Sequence, residues 1–294
     1  MQPSQILFLQ DMKNIIFGAL VATTLAFGYE ATAQITTPQP SPASTVQQVV
    51  GITNFTVTYS RPGAKGRTVF GGEVVPFDKE WRTGANSATM ISFDDKVKME
   101  GNEIPAGKYS LFTIPSKNEW TVIINKDVSG ASVRDASKDL LSFKVKPQAL
   151  PMHVETFTIG FNEFTNTGAF LDLSWEKTLV RIKIETDVDT KVMEQIQKFT
   201  KNPMSAVGRN YFAAATYYLE NGKDMKQALE WINKAAEINS QAYWILHTKA
   251  LIQGKLGDYK AAIETAEVSK KMATEQKDDA YITRNDKVIA EWKK

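Results

Sequence analysis

The chain has 294 residues, 43% of them apolar, and its 35 lysines and arginines nearly balance 33 aspartates and glutamates. That length exceeds the usual single domain and implies two, while balanced charge without a like-signed block excludes a nucleic-acid or lipid-headgroup patch. No cysteine is present, which excludes disulfides, thiolate metal ligands and a thioether-linked lipid.

The stretch from Met12, MKNIIFGALVATTLAFGYEATAQ, opens with Lys13, runs apolar from Ile15 to Phe27 and closes on small residues at Ala31 and Ala33. This is the layout of a secretory signal peptide over residues 1–33, cleaved between Ala33 and Gln34, with Met12 the better-placed start. The apolar run is shorter than the roughly 20 residues a spanning helix needs. The mature protein is therefore expected to be exported and soluble, periplasmic or extracellular, and neither a lipoprotein nor inserted in a membrane. Residues 34–45, QITTPQPSPAST, lack large apolar side chains and read as a flexible linker.

From Val46 to Glu185 the apolar pattern has period two. Phe55, Val57 and Tyr59 alternate with Thr56 and Thr58, and Trp120, Val122 and Ile124 alternate with Thr121 and Ile123. Phe157, Ile159 and Phe161 repeat the pattern, as do Val180, Ile182 and Ile184. Each run predicts a strand with one face in a core and one nearer water. Turn signals (RPG, EGNE, IPAG, NTG) separate the runs, so residues 46–185 predict an antiparallel β-sandwich, with a closed barrel as the alternative.

After Glu185 the period becomes helical over 190–294. VDTKVMEQIQKF leads to a break at KNP (201–203), and Ser205 is placed to cap the next helix. Two units then overlay with a 34-residue offset: Asp224 on Asp258, Ala228 on Ala262, Leu229 on Ile263. Small residues where helices cross, at that spacing, resemble the tetratricopeptide repeat, although the first-helix crossing falls on Thr216 in one copy and Ala250 in the other. A last helix, about 276–293, would cover the open end. A generic helical bundle is the alternative.

The β-region carries a second resemblance. YSRPGAKGRTVFGGEVVPFDKEWRTGANSATMISF, IPAGKYSLFTIPSKNEWTVIINKD and VETFTIGFNEFTNTGAFLDLSWEKTLVRIKI look like the bacterial domain-of-unknown-function family twenty-nine-eleven, over about residues 46–185. The resemblance implies an exported β-rich domain and no particular activity. Where that family tends to have an aromatic-rich stretch after NKD, this chain has SGASVRD (129–135).

Two turns of the β-region offer ligand-binding candidates. In SRPGAKGR, Arg61-Pro62-Gly63 reads as a tight turn, and Lys65 and Arg67 would point to one side of an extended segment. Beside Gly66 they could hold a carboxylate, sulfate or phosphate, or simply be solvated edge charges. In EWRTGANS, Trp81 suits either a core plug or a platform for a sugar ring, and Arg82 either an anion or an internal partner at Asp78 or Glu80. Gly84 and Asn86 fit a turn held by the asparagine side chain.

The tetratricopeptide likeness implies that Asn210, Tyr217, Trp244, His247 and Lys255 line the inner face of a repeat stack and receive a peptide or a partner's helix; the alternative is that Tyr217 and Trp244 pack between helices. The only histidines, His153 and His247, fall in different modules, so no catalytic or metal residues are assigned and no cofactor is expected. The preferred reading is an exported, non-catalytic binding protein: the β-domain takes a small polar, saccharide or anionic ligand and the helices dock a protein. A cell-envelope assembly factor without a small ligand is the alternative. A hydrolase of envelope polymers is a third, requiring two of Glu80, Asp94, Asp95, Glu155 and Asp172, or His153 with a nucleophile, to meet in a pocket.

Overall fold

The computed structural model describes residues 37–201 and 208–294. The expected signal peptide, its cleavage point, residues 34–36 and the capping Ser205 lie outside them. Ten strands come first: β1 (Ala43–Val50), β2 (Thr53–Ser60), β3 (Thr89–Phe93), β4 (Val97–Met99), β5 (Asn102–Ile104), β6 (Gly107–Ile114), β7 (Trp120–Asn125), β8 (Asp139–Val145), β9 (Gln148–Asn162) and β10 (Gly168–Thr186). Six helices follow: α1 (Val188–Lys201), α2 (Gly208–Glu220), α3 (Met225–Ile238), α4 (Tyr243–Lys255), α5 (Tyr259–Glu275) and α6 (Asp279–Trp292).

The strands form two antiparallel sheets, ordered β1-β2-β3-β6-β7-β8 and β5-β4-β10-β9. The expected alternations place Phe55, Val57 and Tyr59 of one sheet, and Phe157, Ile159, Val180 and Ile182 of the other, in one shared core. This is a β-sandwich. Inward residues of both sheets interdigitate there, and every residue on that list is at least nine-tenths out of water.

Two details depart from the period-two reading. β1 begins at Ala43, inside the expected linker, because it pairs along its whole length with β2, and Pro42 O accepts from Arg61 N–H at 2.9 Å. Backbone ladder bonds hold a segment whose side chains could not. Second, Ile123 is buried although it points away from the main core: it packs with Phe112 and Ala88 on the outer face of the six-stranded sheet. The connection from β7 to β8 folds back toward that face, with Ser110 Oγ donating to Asp127 O at 2.7 Å and Asn125 Nδ2 to Asp135 O at 2.8 Å.

β10 is 19 residues long and carries register shifts against β9 on both sides of Glu176, a residue with φ of 50°. This bulge bends the strand. The Glu176 carboxylate accepts from the N–H groups of Val69 (2.9 Å) and Phe70 (3.3 Å), which seats Phe70 edge-on against Trp175. At its far end β10 runs into α1 with only Asp187 between them, and the Asp187 side chain caps the helix through Thr190 N–H at 3.2 Å.

The helices pack as antiparallel neighbours, α2 with α3, α4 with α5, α5 with α6. The 34-residue offset is visible in the caps. Asp224 accepts from Lys226 and Gln227 N–H at the start of α3, and Asp258 from Ala261 N–H at the start of α5. Ala228 and Ala262, one turn inside each cap, are both fully buried. Small side chains there let the helix axes approach. Ala262→Leu should therefore overpack the α4–α5 contact and cost about 1–3 kcal/mol, while Val268→Leu on the exposed face of α5 should stay within about 0.5 kcal/mol, as read by urea unfolding.

Candidate functional site

The turn at 80–87 is built inward. Trp81 exchanges two backbone hydrogen bonds with Thr113 on β6 (2.7 and 2.9 Å), which aims its side chain into the core. The indole is 8% exposed, stacks on Trp175 at 5.9 Å and meets Phe70, Trp120 and Phe157 edge-on. Its Nε1–H donates to Gly84 O at 2.9 Å, so no polar group of the ring is left to recognise a ligand. Trp81 is a core plug, and the platform alternative is overturned.

The remaining side chains fix the loop. Arg82 Nη1 donates to Asn86 O at 2.8 Å, and neither Asp78 nor Glu80 is its partner. Asn86, at φ 58°, donates from Nδ2 to Ser41 O and Ser60 Oγ, both at 3.2 Å. Glu80 instead receives Arg134, from Nε at 2.6 Å and from the backbone N–H at 3.2 Å, and Arg134 also holds Asp139. Thus SGASVRD, the stretch that departs from the family pattern, closes onto this turn. Sequence spacing carries no sign of that pairing, since Glu80 and Arg134 are far apart in the chain.

The basic turn is also engaged. Arg61 donates from Nε to Phe157 O (3.2 Å) and from Nη2 to Thr158 Oγ1 (2.8 Å). Arg67 folds back on its own turn, onto Ala64 O (2.9 Å) and Gly63 O (2.8 Å). Lys65 has φ 52°, and its N–H donates to Glu155 Oε1 at 2.8 Å, while His153 Nε2 lies 3.2 Å from Glu155 Oε2. The Lys65 N–H and the His153 ring hold the Glu155 carboxyl below its ordinary range. A carboxylate therefore already sits where an anion was expected. Of Arg61, Lys65 and Arg67, Lys65 alone has no side-chain hydrogen bond or ion pair among the described residues, so Lys65 and Arg67 do not form the expected pair of free cations.

On the helical side, one open groove of about 860 Å³ crosses the C-terminal ends of α2, α4 and α6. Its floor is Leu219, Leu251 and Trp292; Tyr259 rises from the rim, 51% exposed. Glu220, Glu291, Lys255 and Lys294 line it, and none of the four is in an ion pair among the described residues. Thr216 Oγ1, at the same groove, is buried without a hydrogen-bond partner.

Of the five inner-face candidates only Lys255 lies on this groove. Asn210 faces a smaller depression beside α1, with Val192 and Phe199. Tyr217 donates its hydroxyl to Asp189 at 2.7 Å, and burial together with that carboxylate pushes the phenol up to about 12. Trp244 is 40% exposed but lies elsewhere, edge-on to Tyr243. His247 is buried: its Nδ1 lies 2.8 Å from Asn285 Oδ1, and Asn285 Nδ2 donates onward to Ser269 Oγ and Tyr281 O. Because the Asn285 amide nitrogen is spent, its oxygen must accept, and Nδ1 of His247 carries the hydrogen. The lining of this groove comes from the C-terminal ends of the helices, which is why four of the five candidates lie off it.

Residues 41–184 match the model of a family described as "Protein of unknown function (DUF2911)". The β-domain is similar to the DUF2911 family over these residues. No match to the chain was found among curated proteins or solved structures. The family match covers the sandwich and stops before α1, so it does not extend over the helical module. Among the described residues, no group of three His, Cys, Asp or Glu side chains is placed to hold a metal ion. Within the β-domain His153 faces Glu155 on the surface, and Asp172 is clamped by Arg181 (2.9 Å) and Asn162 (3.0 Å).

Two measurements check these assignments. Trp81→Ala should lose about 3–5 kcal/mol of stability in denaturant, as a core aromatic does, whereas Arg82→Ala should lose about 1 kcal/mol. Wild-type stability of the Trp81 variant would contradict the core role. For His247, burial holds the imidazole below its ordinary pKa, so the unfolded chain takes up its proton first as pH falls. Its contribution is complete above about pH 6.5 and is lost on descending below it. Unfolding of the helices should become easier between about pH 7 and pH 5, and His247→Gln should flatten that dependence.

Proposed function

We propose that this protein is exported and acts without catalysis, as a docking protein: the β-domain is a rigid base, and the helical module receives an extended segment of a partner protein. The observation that carries this reading is the groove across α2, α4 and α6. An apolar floor, an exposed tyrosine and four unpaired charges of both signs suit a peptide that brings its own mixed charges. The matching caps and crossings at Ala228 and Ala262 support a tetratricopeptide-like stack, in which such a concavity is the working surface. No small ligand of the β-domain is included, since Trp81, Arg82, Asn86, Arg61 and Arg67 are all committed to internal partners. The apolar run from Ile15 to Phe27 and the small residues at Ala31 and Ala33 support export.

A photo-crosslinking side chain placed at Tyr259 should capture a partner in the producing cell, and the same group at Val268 on the opposite side of α5 should not. Equal capture at both positions would count against the groove. With the captured protein in hand, Tyr259→Ala should weaken binding by about 2 kcal/mol, roughly a thirtyfold rise in Kd. The amino terminus of the protein recovered outside the cytoplasm should be Gln34.

A further inference from the structure

The sandwich has four sheet edges, and three of them are blunted. β5 is only three residues long. β9 contains Pro151, and its later part is covered by the basic turn, with Ala64 N–H donating to Glu155 O and Phe157 N–H to Pro62 O. β8 carries an exposed Lys144, a register shift against β7, and Lys146-Pro147 directly after it. These are the devices by which proteins keep sheet edges from pairing.

β1 carries none of them. Its eight residues, ASTVQQVV, have no charge and no proline, and they pair with β2 in unbroken register. The bond from Arg61 N–H to Pro42 O sets the alternation: the even-numbered residues turn their backbone groups toward β2, and Ala43, Thr45, Gln47 and Val49 turn theirs outward. Among the described residues one of these outward groups is occupied, the Val49 carbonyl, which takes Gln48 Nε2 at 3.0 Å.

We propose that β1 pairs antiparallel with β1 of a second copy of this chain, about a two-fold axis at Val46, so that two six-stranded sheets become one continuous sheet. That axis sets Thr45 opposite Gln47 of the second copy, and the reverse, using four outward groups that are all free. It also sets Ala43 opposite Val49 at the end of the pairing, where Val49 N–H reaches Ala43 O and Ala43 N–H meets the carbonyl that Gln48 already holds. An axis at Gln47 would bring that occupied carbonyl against Thr45 N–H and leave fewer free pairs. Self-pairing brings each residue near its own copy, which a charged strand would resist and this uncharged one does not. The contact is isologous and therefore closes at two copies.

The test is the molar mass of the purified protein by light scattering over a concentration series. The wild type should approach twice the single-chain mass. Thr45→Lys with Gln47→Lys, and separately Thr45→Glu with Gln47→Glu, should each weaken association by about tenfold or more, through like charges set opposite one another. Mixing the two variants should restore the doubled mass, a result that misfolding cannot imitate. Thr45→Pro removes an outward N–H without touching the β1–β2 ladder and should also weaken association, with unchanged circular dichroism. A single-chain mass for the wild type at every concentration would overturn the proposal, as would full association of either charged variant alone, or a mixture that stays single-chain.

Discussion

The structure of the β-domain depends on one aromatic cluster. Trp81 from the turn, Trp120 from β7, Phe157 from β9, Trp175 from β10 and Phe70 from the basic loop's continuation meet within about one ring diameter of each other, drawing on both sheets and two connections. Two indole N–H groups are satisfied locally, Trp81 on Gly84 O and Trp175 on Glu155 O. The second bond matters for the surface as well. Glu155 O also accepts from Ala64 N–H, so the same backbone carbonyl ties the cluster to the basic turn. What reads in sequence as two binding loops is, in space, the rim of a single core.

This explains which features were legible in the chain. Period-two runs named the inward residues of β2, β7, β9 and β10 correctly, because each run turns its alternate residues into the shared core and a one-residue slip would remove them from it. Ile123 escaped, since the burial of its face comes from a connection distant in sequence. Trp81 and Arg82 were noticed because their residue types are costly to place. Their direction was not legible, because it is set by the bridge to Thr113 and by Arg134 having taken Glu80. Glu155 stands out in sequence only as one of several scattered carboxylates, and nothing there shows that it occupies the basic turn.

The helical module was legible at a different level. Two aspartates 34 residues apart marked two helix starts, and the alanines that follow them marked two crossings. The face used by the groove could not be read off that spacing. His247, which the tetratricopeptide likeness would set on an inner surface, lies within a polar chain through Asn285 and Ser269 to the Tyr243 carbonyl. A buried polar network of this kind, with its groups paired, fixes how α4, α5 and α6 sit together.

The passage from β10 to α1 has a mechanical meaning. With one residue between strand and helix, capped by its own side chain, there is no slack to take up a pull. Lys191 adds a tie to Asp95 beside β4, and Asp189 a tie to Tyr217 and Lys223. Tension applied to the helices would run along a 19-residue strand that is hydrogen-bonded to β9 over most of its length and to β4 at its end. Such a load acts in shear, across many bonds at once, and the sheet resists it as a row of rivets resists sliding plates.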